Sequence, residues 1–295
     1  MKHALVLITL AALVGLSSCD KNAVIDSVQP TPATGVEVLT ASAKADDMPP
    51  LTTPHRLIKH GNRTLTYDEK NRLTQVTDGS SVTTFEYKPG HCYSTTTRGG
   101  LVASRVDYEL TPTGRCSYLT YSRFLGFHPK TKQPNYFTTK YSLVSYAETG
   151  RLGHMANDTY DSFEKYEFKY DANNNLSQIK YYDHSGKLTR TTTLTYDKPY
   201  AGAPQIDFYE LNPDINAEYM DPYLNVFGEF SKYLVRSKKV VVNNMLTTNE
   251  YYKYKLNIDG YVTARDRYDG ATHAYQDSTP FEFVAIPPIL SPIGK

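Results

Sequence analysis

The chain lacks tryptophan, has only three cysteines and carries almost no net charge. Its 295 residues contain 32 Lys and Arg against 31 Asp and Glu, and one of the lysines lies within residues 1–18. This balance argues against nucleic acid or an anionic membrane surface as the main partner. The mean hydropathy of −0.50 is also too polar for a helical membrane protein.

Tyrosine is abundant where tryptophan is missing. The chain has 26 tyrosines and 11 phenylalanines, and this composition is too aromatic for a disordered protein. Catalytic signatures are absent as well, because the sequence holds no G-x-S-x-G, no P-loop and no H-E-x-x-H. We therefore predict no cofactor, and the motifs point to no reaction.

The N-terminus has the pattern of a secretory signal. A short basic start precedes an apolar run of 13 residues, Ala4 to Leu16, which is too short to span a bilayer as a stable helix. Ser17, Ser18 and Cys19 follow, and this sequence resembles the lipobox of bacterial lipoproteins. The resemblance implies cleavage after residue 18 and a lipid anchor on Cys19. An ordinary signal peptide with an incidental cysteine is the alternative.

Residues 20–54 have the composition of a tether. They are rich in Pro, Thr, Ala and Ser and lack a long apolar period, so we predict a flexible, partly extended segment. Val36 to Leu39 could instead form an edge strand. With the lipidated Cys19, the tether covers residues 19–54, and a folded domain is expected from His55.

From His55 onward one short pattern recurs, an apolar residue, any residue and then tyrosine. Alternation of aromatic and branched residues with period two is typical of β-strands. The copies are Leu65-Thr66-Tyr67, Phe85-Glu86-Tyr87, Val106-Asp107-Tyr108, Val144-Ser145-Tyr146, Phe168-Lys169-Tyr170, Leu194-Thr195-Tyr196 and Tyr252-Lys253-Tyr254.

A fixed turn follows several of these strands, with tyrosine, three residues, Asn or Gly, one residue and leucine. Asp68, Asp171 and Asp183 stand where a type I turn favours a carboxylate bonded to its own backbone. The Asn or Gly stands where a tight hairpin needs positive φ. The copies are Tyr67/Asn71/Leu73, Tyr146/Gly150/Leu152, Tyr170/Asn174/Leu176 and Tyr182/Gly186/Leu188.

The turns resemble YD repeats, and Tyr67 to Val76 is the most similar copy. The copies are few and irregularly spaced, so this resemblance implies shared hairpin geometry and not kinship with toxin shells. Over much of Leu57 to Tyr268, the chain also resembles an uncharacterised group of Bacteroidetes-type lipoproteins. That group is a domain of unknown function with a porin-like fold. The resemblance implies a fold and no activity.

These patterns together predict an all-β fold. We expect an antiparallel meander of about 14 strands. An open sheet of that length would leave long exposed edges, so the meander should close or curl strongly into a water-soluble barrel. Thr, Lys and Glu between the tyrosines argue against a lipid-facing barrel. The domain should span residues 55–285, with a loose tail over 286–295.

One insert, residues 201–235, interrupts the strand alternation. Asp221 and Pro222 have the residue types that cap and begin a helix. Five apolar residues then follow at helical spacing, although Gly228 weakens a helix by about 1 kcal/mol. We favour a plug that covers one barrel end over a lid above a binding cavity. The apolar residues are Tyr223, Leu224, Phe227, Phe230 and Leu234.

Neither a disulfide nor a metal site is predicted. Cys92 and Cys116 begin strands that have one strand between them, a separation of about 9.6 Å against a limit of about 7 Å for bridged Cα atoms. They should be free and semi-buried. His55 and His60 do not have zinc spacing with any cysteine. Asp171 to Asn175 mimics the start of a calcium loop whose essential Gly and Glu are missing.

The leading functional hypothesis is a non-catalytic, membrane-tethered module that binds a glycan or a protein. Tyrosine offers a flat apolar face and a hydroxyl group, which suit both partners. The candidate binding residues lie in the insert and are Tyr209, Tyr219, Tyr223 and Phe227. We expect the protein in the cell envelope, anchored to the outer membrane, with no nucleic acid partner.

Two alternatives remain open from the sequence. A structural envelope scaffold would have no ligand, and its tyrosines would only build the sheet through cross-strand pairs. A glycoside hydrolase would need two facing carboxylates at a defined distance. The acids of the insert that could supply them are Asp207, Glu210, Asp214 and Glu218.

Overall fold

Strands and tight turns alternate along the chain and close into a barrel. The structure is a computed structural model that describes residues 55–146, 149–159, 162–196, 219–231, 233–257 and 261–286. Sixteen strands each pair antiparallel with the next, and the first pairs with the last. The described residues contain no helix. The prediction of a closed all-β barrel is confirmed, with sixteen strands where about 14 were expected.

The strands are 5 to 12 residues long. Their bounds are β1 His55–His60, β2 Arg63–Tyr67, β3 Leu73–Asp78, β4 Ser81–Lys88, β5 His91–Arg98, β6 Leu101–Leu110, β7 Cys116–Phe127, β8 Pro134–Ser145, β9 Leu152–Asn157, β10 Lys165–Tyr170, β11 Leu176–Tyr182, β12 Leu188–Tyr196, β13 Val235–Val242, β14 Met245–Leu256, β15 Val262–Asp269 and β16 Tyr275–Ala285.

The barrel has two rims because successive strands run in opposite directions. The plug rim holds the first residue of every odd-numbered strand and the last residue of every even-numbered strand. The distal rim holds the opposite strand ends. The start of β1 and the end of β16 therefore both lie at the plug rim, where His55 pairs with Ala285.

The wall of the barrel separates an apolar inside from a polar outside. Leu65 is buried between the exposed Thr64 and Thr66, and Phe85 is buried between exposed neighbours in the same way. This is the period of two expected for a sheet with one face buried. Ion pairs on the outer face, such as that between Lys140 and Glu109, make the outside of the barrel charged.

The recurring tyrosines have a common structural role at the plug rim. In five hairpins a tyrosine near the end of an even-numbered strand donates a hydrogen bond to a backbone carbonyl near the start of the preceding strand. The O–H to carbonyl distances are 2.7 to 3.1 Å, for Tyr67 to Leu57, Tyr87 to Leu73, Tyr170 to Leu152, Tyr196 to Leu176 and Tyr254 to Val235. Five of the seven repeat copies therefore tie neighbouring strands together, while the hydroxyl groups of Tyr108 and Tyr146 donate to the carbonyls of Tyr219 and Phe168.

The predicted turn chemistry is confirmed. Asn71 and Asn174 adopt φ of 60° and 66°, in the left-handed region, without being glycine. The Asp68 carboxylate accepts the backbone N–H groups of Lys70 and Arg72 at 2.9 and 2.8 Å. Local side chain to backbone bonds thus define the geometry of these hairpins.

The described part of the insert, residues 219–231, is not the helix that its spacing predicts. Its backbone carbonyls face the barrel wall, where Val226 accepts the N–H of Cys116 and Phe230 accepts the N–H of Leu176. Gly228 adopts φ of 94°, which a helix does not allow. The segment lies inside the barrel wall as irregular chain, because the wall supplies the hydrogen bonds that a helix would have made internally.

This segment forms part of the core. Six of its apolar side chains are buried, and so is Leu234, just before β13. The six are Met220, Tyr223, Leu224, Val226, Phe227 and Phe230. We call residues 219–231 the plug segment. Residues 201–218 of the insert, residues 1–54 with Cys19 and the predicted tether, and the tail from residue 287 lie outside the described residues.

The two cysteines are free thiols on either side of β6. They are more completely buried than predicted, with 0% and 8% of Cys92 and Cys116 exposed. Burial raises the pKa of each thiol to about 12. Both therefore act as small apolar core residues.

No helix with the length and hydropathy needed to cross a bilayer is found among the described residues.

Candidate functional site

The predicted binding residues that the structure describes pack into the interior. The hydroxyl group of Tyr223 lies 2.8 Å from Nδ1 of His60, and the Phe227 ring lies 5.7 Å from the Tyr108 ring. Both side chains are buried. Tyr219 is half-buried, and its ring lies 4.2 Å from that of Tyr121 with the two ring planes tilted by 33°.

These contacts place the three aromatic residues in the core of the plugged barrel end. Tyr209, the fourth candidate, lies outside the described residues, as do Asp207, Glu210, Asp214 and Glu218. A ligand-binding role for the four aromatic residues stays a prediction.

His60 has a structural environment. Its ring stacks on Phe281 at 4.6 Å, and its side chain is buried beside Tyr223. Within the described parts of the chain, no three His, Cys, Asp or Glu side chains converge to hold a metal ion. Asp171 makes the hairpin turn, where its carboxylate accepts two backbone N–H groups at 2.8 Å.

A groove on the outer wall of β8 to β11 is the candidate functional site. Two adjoining hollows of about 520 and 310 Å³ share Ala156 and Lys165, and we call them together the outer groove. Their volumes lie in the range of small-molecule sites. The lining residues are Tyr146, Gly153, His154, Ala156, Asn157, Ser162, Phe163, Glu164, Lys165, Glu167, Lys169, Tyr182, Ser185 and Gly186.

The floor of the outer groove exists because small residues face outward from β9. Gly153 has no side chain and Ala156 has only a methyl group, so larger side chains do not fill the surface at this point. The Tyr146 ring crosses directly over Gly153, so that a Cβ atom there would lie 3.3 Å from the ring. The Tyr146 hydroxyl group donates to the carbonyl of Phe168 at 3.0 Å and fixes this ring.

Exposed aromatic side chains stand at the other end of the outer groove. Phe163 is 70% exposed, and its N–H donates to the carbonyl of His184 at 3.1 Å. Its Cβ packs against Gly186, which has no side chain to displace it. Both contacts come from the turn between β11 and β12, and they place the Phe163 side chain at the surface.

Charged groups alternate with the aromatic ones. Lys165 and Glu167 form an ion pair of 2.8 Å, and the Lys165 ammonium group also lies 4.7 Å from the centre of the Tyr182 ring. The Tyr182 hydroxyl group donates to Glu167 at 3.1 Å. The hydrogen bond from Lys165 lowers the pKa of Glu167, so the carboxylate stays ionised and accepts further donors.

Glu164 closes the end of the larger hollow. Its carboxylate accepts hydrogen bonds of 3.0 Å from the hydroxyl groups of Tyr141 and Tyr181 and from the amide of Asn157. Three neutral donors hold this side chain in one position. The outer groove thus offers an exposed Phe163 ring, the ion pair of Lys165 and Glu167, and a floor of small residues.

Sequence reasoning did not find this site. Its side chains come from three strands and from the connections beside them. Tyr146, Tyr182 and Gly186 belong to the sequence repeat, but the repeat did not indicate that they line one groove on the outer wall. One local signal was available, since Gly153 lies inside a strand, where glycine often marks a close approach of another group.

Comparisons with known proteins address the fold. No protein-family model matches the chain, and no curated protein matches it by sequence. A porin-like protein from Bacteroides uniformis ATCC 8492 is 17% identical, with a TM-score of 0.50 over 81% of this chain and 98% of that chain. A porin-like protein from Bacteroides vulgatus ATCC 8482 is 10% identical, with a TM-score of 0.52 over 77% of this chain and 98% of that one.

At these identities the similarity establishes the fold and nothing finer. The porin-like fold expected from the sequence resemblance is confirmed, while membership of the lipoprotein group and the resemblance of the hairpins to YD repeats stay predictions. The barrel described above is similar in fold to these porin-like proteins.

Proposed function

We propose that the protein is a lipid-anchored, non-catalytic module of the bacterial cell envelope that binds a glycan in the outer groove. The observation that carries the proposal is the exposed Phe163 ring beside the Tyr182 ring and the ionised pair of Lys165 and Glu167. Sugar rings present apolar C–H faces and a rim of hydroxyl groups. An aromatic face flanked by fixed charged donors and acceptors matches both features.

The anchor follows from the sequence. The apolar run that ends directly before Cys19 supports lipidation of that residue. The porin-like structures support an outer-membrane-type location for the proposed lipoprotein. The charged outer wall supports a barrel that stands in water while the lipid holds it to the membrane, since a lipid-facing barrel needs a continuous apolar band.

The glycan-binding part of the proposal is tested by a glycan array, followed by calorimetric titration of any ligand found. We expect Phe163→Ala to weaken binding about tenfold, which corresponds to ~1.4 kcal/mol. Ala156→Arg should abolish binding by filling the floor. Tyr275→Ala is the matched control, because it removes another exposed aromatic side chain from β16, on a different part of the wall.

Equal affinity in all variants would place the ligand elsewhere on the molecule. A protein that binds no glycan would instead be the structural scaffold considered above. The anchor is tested separately by metabolic palmitate labelling of the full chain, and we expect Cys19→Ala to abolish incorporation. Labelling that survives the substitution would contradict lipidation of Cys19.

A further inference from the structure

Two neighbouring hairpins extend from the distal rim with apolar side chains in solvent. The hairpin of β5 and β6 and the hairpin of β7 and β8 are adjacent, and their contact ends at the pair Ser104 and Arg123. The β8 strand pairs with β9 only from Tyr141 onward. The distal halves of both hairpins are residues 94–105 and 121–140. Within them, residues 99–103 and 124–139 have no paired strand outside their own hairpin.

Large apolar side chains of these segments are more than half exposed. The exposed fractions are 61% for Leu101, 53% for Leu125, 59% for Phe127 and 51% for Phe137. Phe127 also belongs to a small aromatic cluster, in which the Phe124 ring lies 5.2 Å from Phe127 and 5.8 Å from Tyr136. The exposed Phe127 ring thus packs against another aromatic ring of the same hairpin.

The same segments are strongly basic. They contain six Lys and Arg residues and no Asp or Glu, although the whole chain is nearly neutral. Arg105 lies over the Tyr136 ring at 5.5 Å, and Lys140 pairs with Glu109 at the base of the hairpin. For the other four, Arg98, Arg123, Lys130 and Lys132, the described residues supply no carboxylate partner.

We propose that these two hairpins dock the barrel onto an anionic phospholipid bilayer. Exposed Leu and Phe side chains enter the headgroup boundary, while the flanking Lys and Arg side chains contact phosphate groups. The net charge of the whole chain does not reveal this basic surface, because acidic residues on other parts of the barrel offset its charge. The docking surface is separate from the outer groove and needs neither glycan binding nor the lipid anchor.

A bilayer fits this surface better than a nucleic acid or a folded partner. Nucleic acid binding would use the basic side chains but would leave Leu101 and Leu125 exposed to water. The apolar side chains also protrude from turns and strand ends instead of lining a groove that could receive a helix or a peptide.

The test is vesicle flotation of the full chain carrying Cys19→Ala, so that no attached lipid contributes. We expect binding to vesicles of phosphatidylcholine with phosphatidylglycerol, and at least tenfold weaker binding to pure phosphatidylcholine. The double substitution Lys130→Glu and Lys132→Glu should reduce binding to the level of pure phosphatidylcholine. Phe127→Ser with Phe137→Ser should reduce it about tenfold.

Met245→Ser with Leu246→Ser is the matched control. These side chains are 67% and 59% exposed at another hairpin of the same rim, which has no comparable group of unpaired basic residues, so binding should be unchanged. Circular dichroism checks that each variant retains its strands. Equal flotation with both vesicle types, full binding by the Lys130 and Lys132 variant, or binding to soluble DNA without vesicle binding would each overturn the proposal.

Discussion

The tyrosine hydroxyl groups at the plug rim add hydrogen bonds between strands that backbone pairing alone does not supply. Each of the five donates to a carbonyl beside the end of a ladder, where the regular strand bonds stop. The ring of Tyr196 shows the device at its most complete, because its hydroxyl group also lies 2.6 Å from the hydroxyl group of Ser231 in the plug segment. Tyrosine thereby connects neighbouring strands to each other and the barrel wall to the plug segment.

Asp221 is the residue whose ionisation opposes the fold. Its carboxyl group is enclosed by the plug segment and the wall, although the residue as a whole keeps some solvent contact, and burial raises its pKa to about 6. The N–H of Tyr223 and the charge of Arg63 oppose this shift without cancelling it. Because the folded protein holds the proton more tightly than the unfolded chain, stability falls as pH rises through the interval between the ordinary pKa and 6.

We therefore expect Asp221→Asn to stabilise the protein above about pH 6, by roughly 1–2 kcal/mol. The asparagine keeps an oxygen that accepts the Tyr223 N–H but carries no charge. The gain should vanish below about pH 4, where the aspartate is protonated in both states. Urea denaturation at several pH values measures it.

Asp183→Asn is the control with the opposite sign. The Asp183 carboxylate accepts a hydrogen bond from Ser185 that lowers its pKa, so it supports the fold at neutral pH and loses this effect as pH falls. An Asp221→Asn variant that is no more stable than the parent at neutral pH would contradict the enclosed, ionised carboxylate.

Among the elements, the hairpins take their conformation from nearby residues, whereas the plug segment takes its conformation from residues far away in sequence. The turn at Asp171 forms from the bonds of one carboxylate and the left-handed conformation of Asn174, both of which the sequence shows. The plug segment takes its conformation from N–H groups on β7 and β11, which are far away in sequence. Local chemistry therefore predicted the hairpins, while helical spacing gave a wrong helix at Phe227 and Phe230.

Arg151 is the side chain that fastens the plug segment to the wall. It is 6% exposed, and its guanidinium group donates to the carbonyls of Asn174 and Glu229 at 2.5 and 3.3 Å. It also pairs with the Glu229 carboxylate at 3.2 Å. We expect Arg151→Ala to cost about 1–3 kcal/mol, because two covered carbonyls lose their donor.

Thermal unfolding and hydrogen exchange at the plug segment measure this effect. Arg72→Ala is the comparison, since it removes an arginine from a plug-rim turn that pairs only with its own turn residue Asp68 and the Tyr87 ring. That variant should change stability by less than about 1 kcal/mol. Equal losses in the two variants would argue against a special role of Arg151.

The candidate site illustrates a further limit of sequence reasoning. The outer groove depends on which way Gly153 and Ala156 face, and this is set by the register between β8, β9 and β10. A regular strand would place these two residues, which are three apart, on opposite faces, and the irregular pairing of Ser145 with Leu152 and of Val144 with His154 breaks that alternation. The register could not be read from the sequence, so nothing indicated that Phe163 and Tyr182 line a common groove.

For the whole molecule, wall and plug segment share one core. Phe230 is fully buried, its ring lies 6.0 Å from that of Phe168 on β10, and its carbonyl accepts a hydrogen bond from β11. We expect a single cooperative transition, with far-ultraviolet dichroism and tyrosine fluorescence changing together. Phe230→Ala should lower the free energy of unfolding by about 3–5 kcal/mol in both signals.

Val284→Ala is the control on the outer face of β16, where the side chain is partly exposed and little should change. Two separate transitions, or an effect of Phe230→Ala on the fluorescence signal alone, would show that the plug segment unfolds independently of the barrel.

The pairing of His55 with Ala285 makes the ladder a cycle. Each strand has two hydrogen-bonded neighbours, and no strand is first or last in the bonding pattern. A short covalent link across this pair, with the chain opened at the tight turn of Asn243 and Asn244, would produce a circular permutant with every strand pair retained. The order in which the ribosome makes the strands is thus separable from the architecture they form.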